Sequence, residues 1–261
     1  MAPLEPTGPV NGLPERYDVF GTKVSLTTVR EVSDALMTRR GISVIIANVH
    51  SVMASRRDPA LAEAIARADI VTPDGVPLTW ALRLDDLEAV RVTGIEVLTD
   101  VADRGRAAGI RHYFYGSTAE TLEKIAGRLR SDHPGIEIAG LFSPPFRALT
   151  DDEIAEHARE ISAAGAHIVW VGLGMPKQEL WMQRIRPFLP EVSLVGVGAA
   201  FDWLAGNQPM APQWMRDRGL EWLYRLSKEP RRLWRRYIYN NPAYLVLLGN
   251  RWLRARFGRR G

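Results

Sequence analysis

In the run Asp69-Ile-Val-Thr-Pro-Asp-Gly75 a short apolar strand stops at a proline and presents the Asp74 carboxylate beside a permissive glycine. A carboxylate partly desolvated at a strand end can accept a proton from a substrate hydroxyl, a role worth about 10²- to 10⁴-fold in rate. The competing reading is a common Pro-Asp-Gly turn in which Asp74 bonds only local backbone N–H groups. A second stretch, Val169 to Glu179, breaks an apolar strand into glycines and then delivers Lys177, Gln178 and Glu179. Gly172 and Gly174 leave backbone N–H groups unobstructed, Pro176 suits the first turn of a helix, and that helix would aim its positive end at the loop. Anion binding is the chemistry expected there; the alternative is an ordinary strand-to-helix turn with solvated side chains. Asn48 and His50 end a third, very apolar strand and point at the same cleft. Asn48 is the stronger candidate, because a lone histidine in such a place is more often structural. Asp202 follows Gly196-Val-Gly-Ala-Ala-Phe201, and it either bonds a ribose hydroxyl or base edge or caps the helix beginning nearby.

These residues share a position: each follows a strand. Apolar runs of strand length stand at 42–47, 70–72, 112–115, 136–139, 167–171 and 192–197, separated by segments of helical spacing at about 59–67, 76–84, 95–108, 118–130, 151–164 and 177–186. Ser117-Thr118 before Glu120, and Thr150 before Glu153, are good helix starts. The runs are continuously apolar rather than alternating, which implies a mostly parallel, Rossmann-like α/β sheet with helices on both faces. Ligands of such sheets bind beyond the carboxyl ends of the strands, where the loops containing Asn48, Asp74, Gly116, Gly172 and Asp202 fall. A dinucleotide fingerprint fails twice: Gly172-x-Gly174 leads to Lys177 and Gly196-x-Gly198 to Phe201, where glycine or alanine is required. That weakens a nucleotide-dependent oxidoreductase. No P-loop, His-Glu-x-x-His, Gly-x-Ser-x-Gly or Asp-x-Asp pair occurs, and the five histidines are scattered, so no metal site is expected.

The chain has 261 residues, enough for one large domain or a domain with an appendage, and no cysteine, which excludes disulfides and thiolate chemistry. Residues 1–16, with Pro3, Pro6, Pro9 and Pro14, are expected to form a flexible leader that is no signal peptide. The net charge of +4 divides unevenly: Arg225–Gly261 holds eleven Lys or Arg against the single acid Glu229, leaving the preceding 224 residues at −6. The core is expected over 17–210, and 211–261 as an amphipathic, basic, helical appendage. Its interleaved aromatic and aliphatic residues fit an anionic membrane surface, but its longest apolar run, Tyr244–Leu248, is far short of the roughly 20 residues that span a bilayer. The apolar face would equally serve a homo-oligomer. A nucleic-acid partner is a rival on charge alone, and it leaves the glycine loops unexplained.

Asn48, Pro-Asp-Gly at 73–75, Arg-Val-Thr-Gly at 91–94, Phe-Tyr-Gly at 114–116, Gly-Leu-Gly-Met-Pro-Lys-Gln-Glu at 172–179, Gly-Val-Gly-Ala-Ala-Phe-Asp at 196–202, and Gly-Leu-Glu-Trp-Leu-Tyr-Arg-Leu then Glu-Pro-Arg-Arg-Leu-Trp-Arg-Arg-Tyr in the appendage stand in order. Together they resemble the WecG/TagA/CpsF glycosyltransferases over about residues 17–245. The resemblance implies an inverting, metal-independent transfer, without a cofactor, of N-acetylmannosamine or a related sugar. The donor would be a UDP-sugar and the acceptor a polyprenyl-diphosphate-linked sugar, at the cytoplasmic, inner membrane face. By the same resemblance Asp74 is the general base and Gln178 is important for activity. Asn48, Arg91, Gly116, Gly172, Gly174, Lys177 and Asp202 would serve substrate binding, while Arg225, Arg232 and Arg235 would close over the site and meet the diphosphate. Ile46 and Met210 depart from the family's pattern, which often has threonine and a basic residue there.

Overall fold

The computed structural model describes residues 12–257. Residues 1–11 of the expected leader therefore lie outside the described residues. The chain opens with a hairpin, β1 (Arg16–Val19) and β2 (Thr22–Ser25), paired antiparallel. Its two turn residues, Phe20 and Gly21, have φ of 55° and 95°, the left-handed backbone that a tight two-residue hairpin requires. A capping box between Thr28 and Glu31 then starts α1 (Val29–Thr38). This hairpin and helix precede the alternation visible in sequence from Ile42 onward.

The parallel elements follow, with the six expected strands and, before the expected segment at 59–67, a helix over 49–55 that was not expected. They are β3 (Ser43–Ala47), α2 (Val49–Ser55), α3 (Pro59–Arg67), β4 (Ile70–Pro73), α4 (Val76–Arg83), α5 (Gly94–Arg104), β5 (Arg111–Gly116) and α6 (Ala119–Asp132). Then come β6 (Glu137–Phe142), α7 (Asp151–Ala163), β7 (Ile168–Gly172), α8 (Lys177–Ile185), β8 (Ser193–Gly196) and α9 (Ala200–Leu204). Thr118 caps α6, and Thr150 with Glu153 forms a box on α7. Strands β3 to β8 form one parallel sheet in the order β4-β3-β8-β7-β5-β6. Because successive side chains of a strand point to opposite faces, Val169 and Val171 of β7 join a core with Leu61, Ile154 and Met182, whereas Ile168 and Trp170 join one with Val32, Leu98 and Leu122. Burial on both faces is what the continuously apolar strands encode.

The central strands hand their chains to opposite faces. β8 leads to α9 on one side, while its neighbours β3 and β7 lead to α2 and α8 on the other. Their carboxyl ends consequently border an open crevice, the usual ligand position in this architecture. The appendage covers part of it. It comprises α10 (Gln213–Asp217), α11 (Glu221–Lys228) and the long α12 (Pro230–Phe257), which buries Leu233, Tyr237, Asn240 and Tyr244. Those four recur at helical spacing on one stripe. Tyr244 donates its hydroxyl to the Pro77 carbonyl at 3.0 Å and meets the Phe20 ring edge-on at 5.1 Å. Two turns further on, Arg251 pairs with Asp85 and donates to the Asp18 carbonyl at 3.0 Å. The amino-terminal hairpin is thus a docking pad for the carboxyl-terminal helix.

Candidate active site

Between the ends of β3 and β4, the start of α4 and the appendage lies a cavity of about 250 Å³. Asp74 lies directly after β4, its N–H bonded to the Ala47 carbonyl of β3 at 2.8 Å. Its side chain is 23 % exposed, and its pKa is pushed up to about 6. Burial is the main cause and Glu221 adds to it, while Arg91 and then Arg225 work against it. Arg91 ties core to appendage. Its Nε donates to the Asp74 carbonyl at 2.6 Å, and its Nη2 reaches the Asp74 carboxylate at 3.4 Å and Glu221 of α11 at 2.6 Å. Burial opposes the Arg91 charge, but Asp74 and Glu221 outweigh it and hold the guanidinium above its ordinary value.

Asn48 caps α2: its Oδ1 accepts from the His50 and Ser51 backbone N–H groups at 3.0 and 3.3 Å, and from Arg236 Nη2 of α12 at 3.4 Å. His50 Nδ1 meets Asn240 Nδ2 at 2.8 Å. Burial, with Arg236 and Arg57 nearby, pushes the imidazole down to about 3, so it stays neutral. Five arginines border the cavity (91, 216, 218, 225 and 236) against two carboxylates, Asp74 and Glu221. That excess of positive charge suits an anionic ligand. The lining also includes the apolar side chains of Trp80, Leu220, Tyr237 and Leu245.

The glycine loops stand at the carboxyl ends of β5 and β7. Gly116 and Gly172 are register partners on β5 and β7. At Gly116 φ is 123° and an added Cβ would stand 2.6 Å from the Gly172 carbonyl oxygen; one on Gly172 would stand 2.2 Å from the Phe201 ring. Glycine is required at both positions by packing. Gly174 turns through φ 74° in open space, and exposed Lys177 begins α8. Gln178 and Glu179 are 4 % and 2 % exposed. Gln178 Nε2 donates to Glu179 Oε1 at 2.9 Å, while Gln178 Oε1 and Glu179 Oε2 have no partner among the described residues. Burial lifts the Glu179 carboxyl to about 7, against the opposing pull of its own backbone N–H, Gln178 and Arg236.

A family description, the glycosyl transferase WecG/TagA/CpsF family, matches residues 17–258. The chain belongs to that family. The match runs through the appendage to the end of α12, further than the motifs alone reach. A relative from Bacillus spizizenii (strain W23) is 31 % identical over 209 residues, covering 79 % of this chain and 78 % of the relative. One from Bacillus subtilis (strain 168) is 28 % identical over 208 residues, with the same coverage. Both carry the name N-acetylglucosaminyldiphosphoundecaprenol N-acetyl-beta-D-mannosaminyltransferase.

In this glycosyltransferase the main cavity gathers Asn48, Asp74, Arg91 and Arg225. Arg225 and Glu221 also border a second cavity of about 210 Å³ beside Trp203 and Asn207, and the Arg225 guanidinium stacks 5.5 Å from the Trp203 ring. Gly116, Gly172, Gly174, Lys177, Gln178 and Asp202 border neither cavity. Asp202 lies in the first turn of α9. Arg232 pairs with Glu229 on the exposed side of α12, and exposed Arg235 stacks on Trp234 at 5.3 Å. Arg236 enters the main cavity in their place. Sequence reasoning passed over it, and over Glu221, Trp80 and Tyr237. The signal was the stripe Leu233, Tyr237, Asn240, Tyr244, beside which position 236 falls and positions 232 and 235 do not. Of the two departures from the family pattern, Ile46 is buried in the core and Met210 is 43 % exposed. Among the described residues no three His, Asp or Glu side chains converge as a metal site would require.

Proposed function

We propose that this enzyme transfers N-acetylmannosamine or a closely related sugar from a UDP-sugar to a polyprenyl-diphosphate-linked acceptor, with inversion and without a metal, in the assembly of a cell-surface polymer. The observation that carries the reading is the meeting of Asp74 with arginines of the appendage in one cavity. The names of the two relatives supply the sugar and the lipid-linked acceptor class. In the reaction, the Asp74 carboxylate takes the proton from the acceptor hydroxyl as that oxygen attacks the anomeric carbon. The bond from this carbon to the diphosphate oxygen breaks on the opposite face, and UDP leaves. Arg225 stabilises the charge developing on the diphosphate, a task for preorganised donors in a desolvated site. The glycine loops at 116 and 172–174, Lys177 and Asp202 hold the nucleotide, and Gln178 orients the donor sugar.

No helix among the described residues is long and apolar enough to cross a membrane. The outward face of α12 carries Trp234, Ile238, Val246 and Trp252 among the cations Arg231, Arg232, Arg235 and Arg254. That face rests on an anionic leaflet, each cation contributing about 1 kcal/mol. The test is a panel of UDP-sugars offered with a diphosphate-lipid-linked N-acetylglucosamine in the presence of chelator. Product from UDP-N-acetylmannosamine supports the reading, and product that depends on added divalent metal contradicts it.

A further inference from the structure

α8 buries a neutral amide and a carboxyl side by side, Gln178 and Glu179. Burying such groups is costly unless their polar atoms are bonded, yet one hydrogen bond joins the two side chains, Gln178 Nε2 to Glu179 Oε1 at 2.9 Å. Gln178 Oε1 and Glu179 Oε2 are left without partners among the described residues. The seat of Gln178 is cleared by two glycines. A Cβ on Gly196 would stand 3.0 Å from Gln178 Nε2, and one on Gly198 would stand 3.4 Å from Gln178 Oε1. Gly196 ends β8, which pairs with β7, and the Gln178 N–H bonds the carbonyl of Gly174 in the loop after β7 at 3.0 Å. The carboxamide therefore lies across the ends of two neighbouring strands whose chains leave to opposite faces, the position at which ligands of such sheets bind.

An ionised carboxylate only accepts hydrogen bonds, whereas a carboxamide donates at one end and accepts at the other. Glu179 thus takes the Nε2 end of Gln178 and leaves Oε1 against the Gly198 loop. We propose that Glu179 is a positioning residue that fixes the polarity of Gln178, so that the free end is an acceptor and receives an N–H or O–H of the donor sugar. The inference rests on the reading above that the donor is a UDP-sugar. A buried acceptor without a partner is destabilising until something donates to it. The diphosphate oxygens are themselves acceptors and do not serve, which leaves the hydroxyl and amide groups of the sugar. Arg236 is the charged side chain of another element that acts on Glu179, and it favours the ionised form. Glu179 acts through Gln178 and has no need to touch substrate. The glycines after β8 are then room for an amide.

The test uses the full chain at pH 8, above the Glu179 value of about 7, where the carboxylate is ionised. Glu179→Gln keeps the shape of the side chain but can present either end of its own amide, so Gln178 loses its fixed orientation. The KM for UDP-N-acetylmannosamine is expected to rise about tenfold, the worth of one hydrogen bond. The Kd of UDP should change less than twofold, and the thermal midpoint should not fall. Arg184→Gln, an exposed charge on the same helix, should move KM less than twofold. In a Gln178→Ala background Glu179→Gln should add nothing, as expected of a residue that acts through another. The side-chain amide resonances of Gln178, assigned by their loss in Gln178→Ala, report its orientation without turnover and should shift in Glu179→Gln. A KM unmoved by Glu179→Gln in an enzyme that does transfer from UDP-sugars overturns the proposal and leaves the reaction standing. So does an equal rise in Arg184→Gln, a matching loss of UDP affinity, or an additive loss in the double variant. A wild type that transfers nothing from UDP-sugars, with the amide resonances still moved by Glu179→Gln, removes the reaction and upholds the orienting role of Glu179.

Discussion

Replacing Arg91 by glutamine should shift the pH at which the enzyme becomes active. The base must be ionised to accept a proton, so kcat/KM should rise with pH through the Asp74 pKa of about 6 and level off above it. Arg91 Nη2 stands 3.4 Å from the carboxylate, and a cation at that range lowers a carboxylate pKa by about 1 to 3. Because Arg91 divides its charge between Asp74 and Glu221, its loss is better placed near the lower half of that range, about 1.5. The ionised fraction at pH 7 then falls from about 0.9 to about 0.25, close to a fourfold loss, while at pH 9 the variant and wild type converge. Glu221→Gln removes a charge that raises Asp74 and leaves Arg91 wholly to it, so its acid limb should move the opposite way. Initial rates of UDP release from pH 5 to 9 measure both limbs. Limbs that move together, or an Arg91→Gln deficit that is uniform across pH, would refute the assignment of these two residues to tuning Asp74.

Further outcomes follow from other contacts. Glu179 has its folded-state pKa raised from 4.5 to about 7, so its stabilising contribution is full below the unfolded value and is lost as pH rises through about 7. Glu179→Gln should flatten that decline, worth about 3 kcal/mol at most, and denaturant unfolding at pH 5 and pH 8 should show it. Tyr244→Ala removes a buried ring and its bond to Pro77, and a loss of about 3–5 kcal/mol is expected from calorimetry, with the appendage becoming protease-sensitive. Deleting 225–261 should abolish salt-sensitive binding to anionic vesicles; equal binding by the truncated protein would contradict the membrane reading.

The sheet was legible because a strand buried on both faces has to be apolar, as Val44–Ala47 of β3, Ile168–Val171 of β7 and Leu194–Val195 of β8 are. The hairpin was not, since Tyr17 and Val19, and Thr22 and Val24 opposite them, alternate too briefly and Phe20-Gly21 is not a common turn pair. The start of α1 is written in the Thr28–Glu31 capping box. At the site, Asp74 and Asn48 stood out as polar residues ending apolar runs. Arg91 follows no strand, and the family motif alone marked it. Arg236 depended on the rotational phase of α12, which the sequence encodes in the spacing of Leu233, Tyr237, Asn240 and Tyr244 but only once the docked face is known. Glu221 acquires its meaning from a contact 130 residues away in the chain.

The most direct test of the account is the turnover of Asp74→Asn with saturating UDP-sugar and lipid-linked acceptor at pH 8, alongside its affinity for UDP. A fall of about 10²- to 10⁴-fold in kcat is expected, with UDP bound as tightly as by the wild type. Turnover undiminished by the substitution would contradict it.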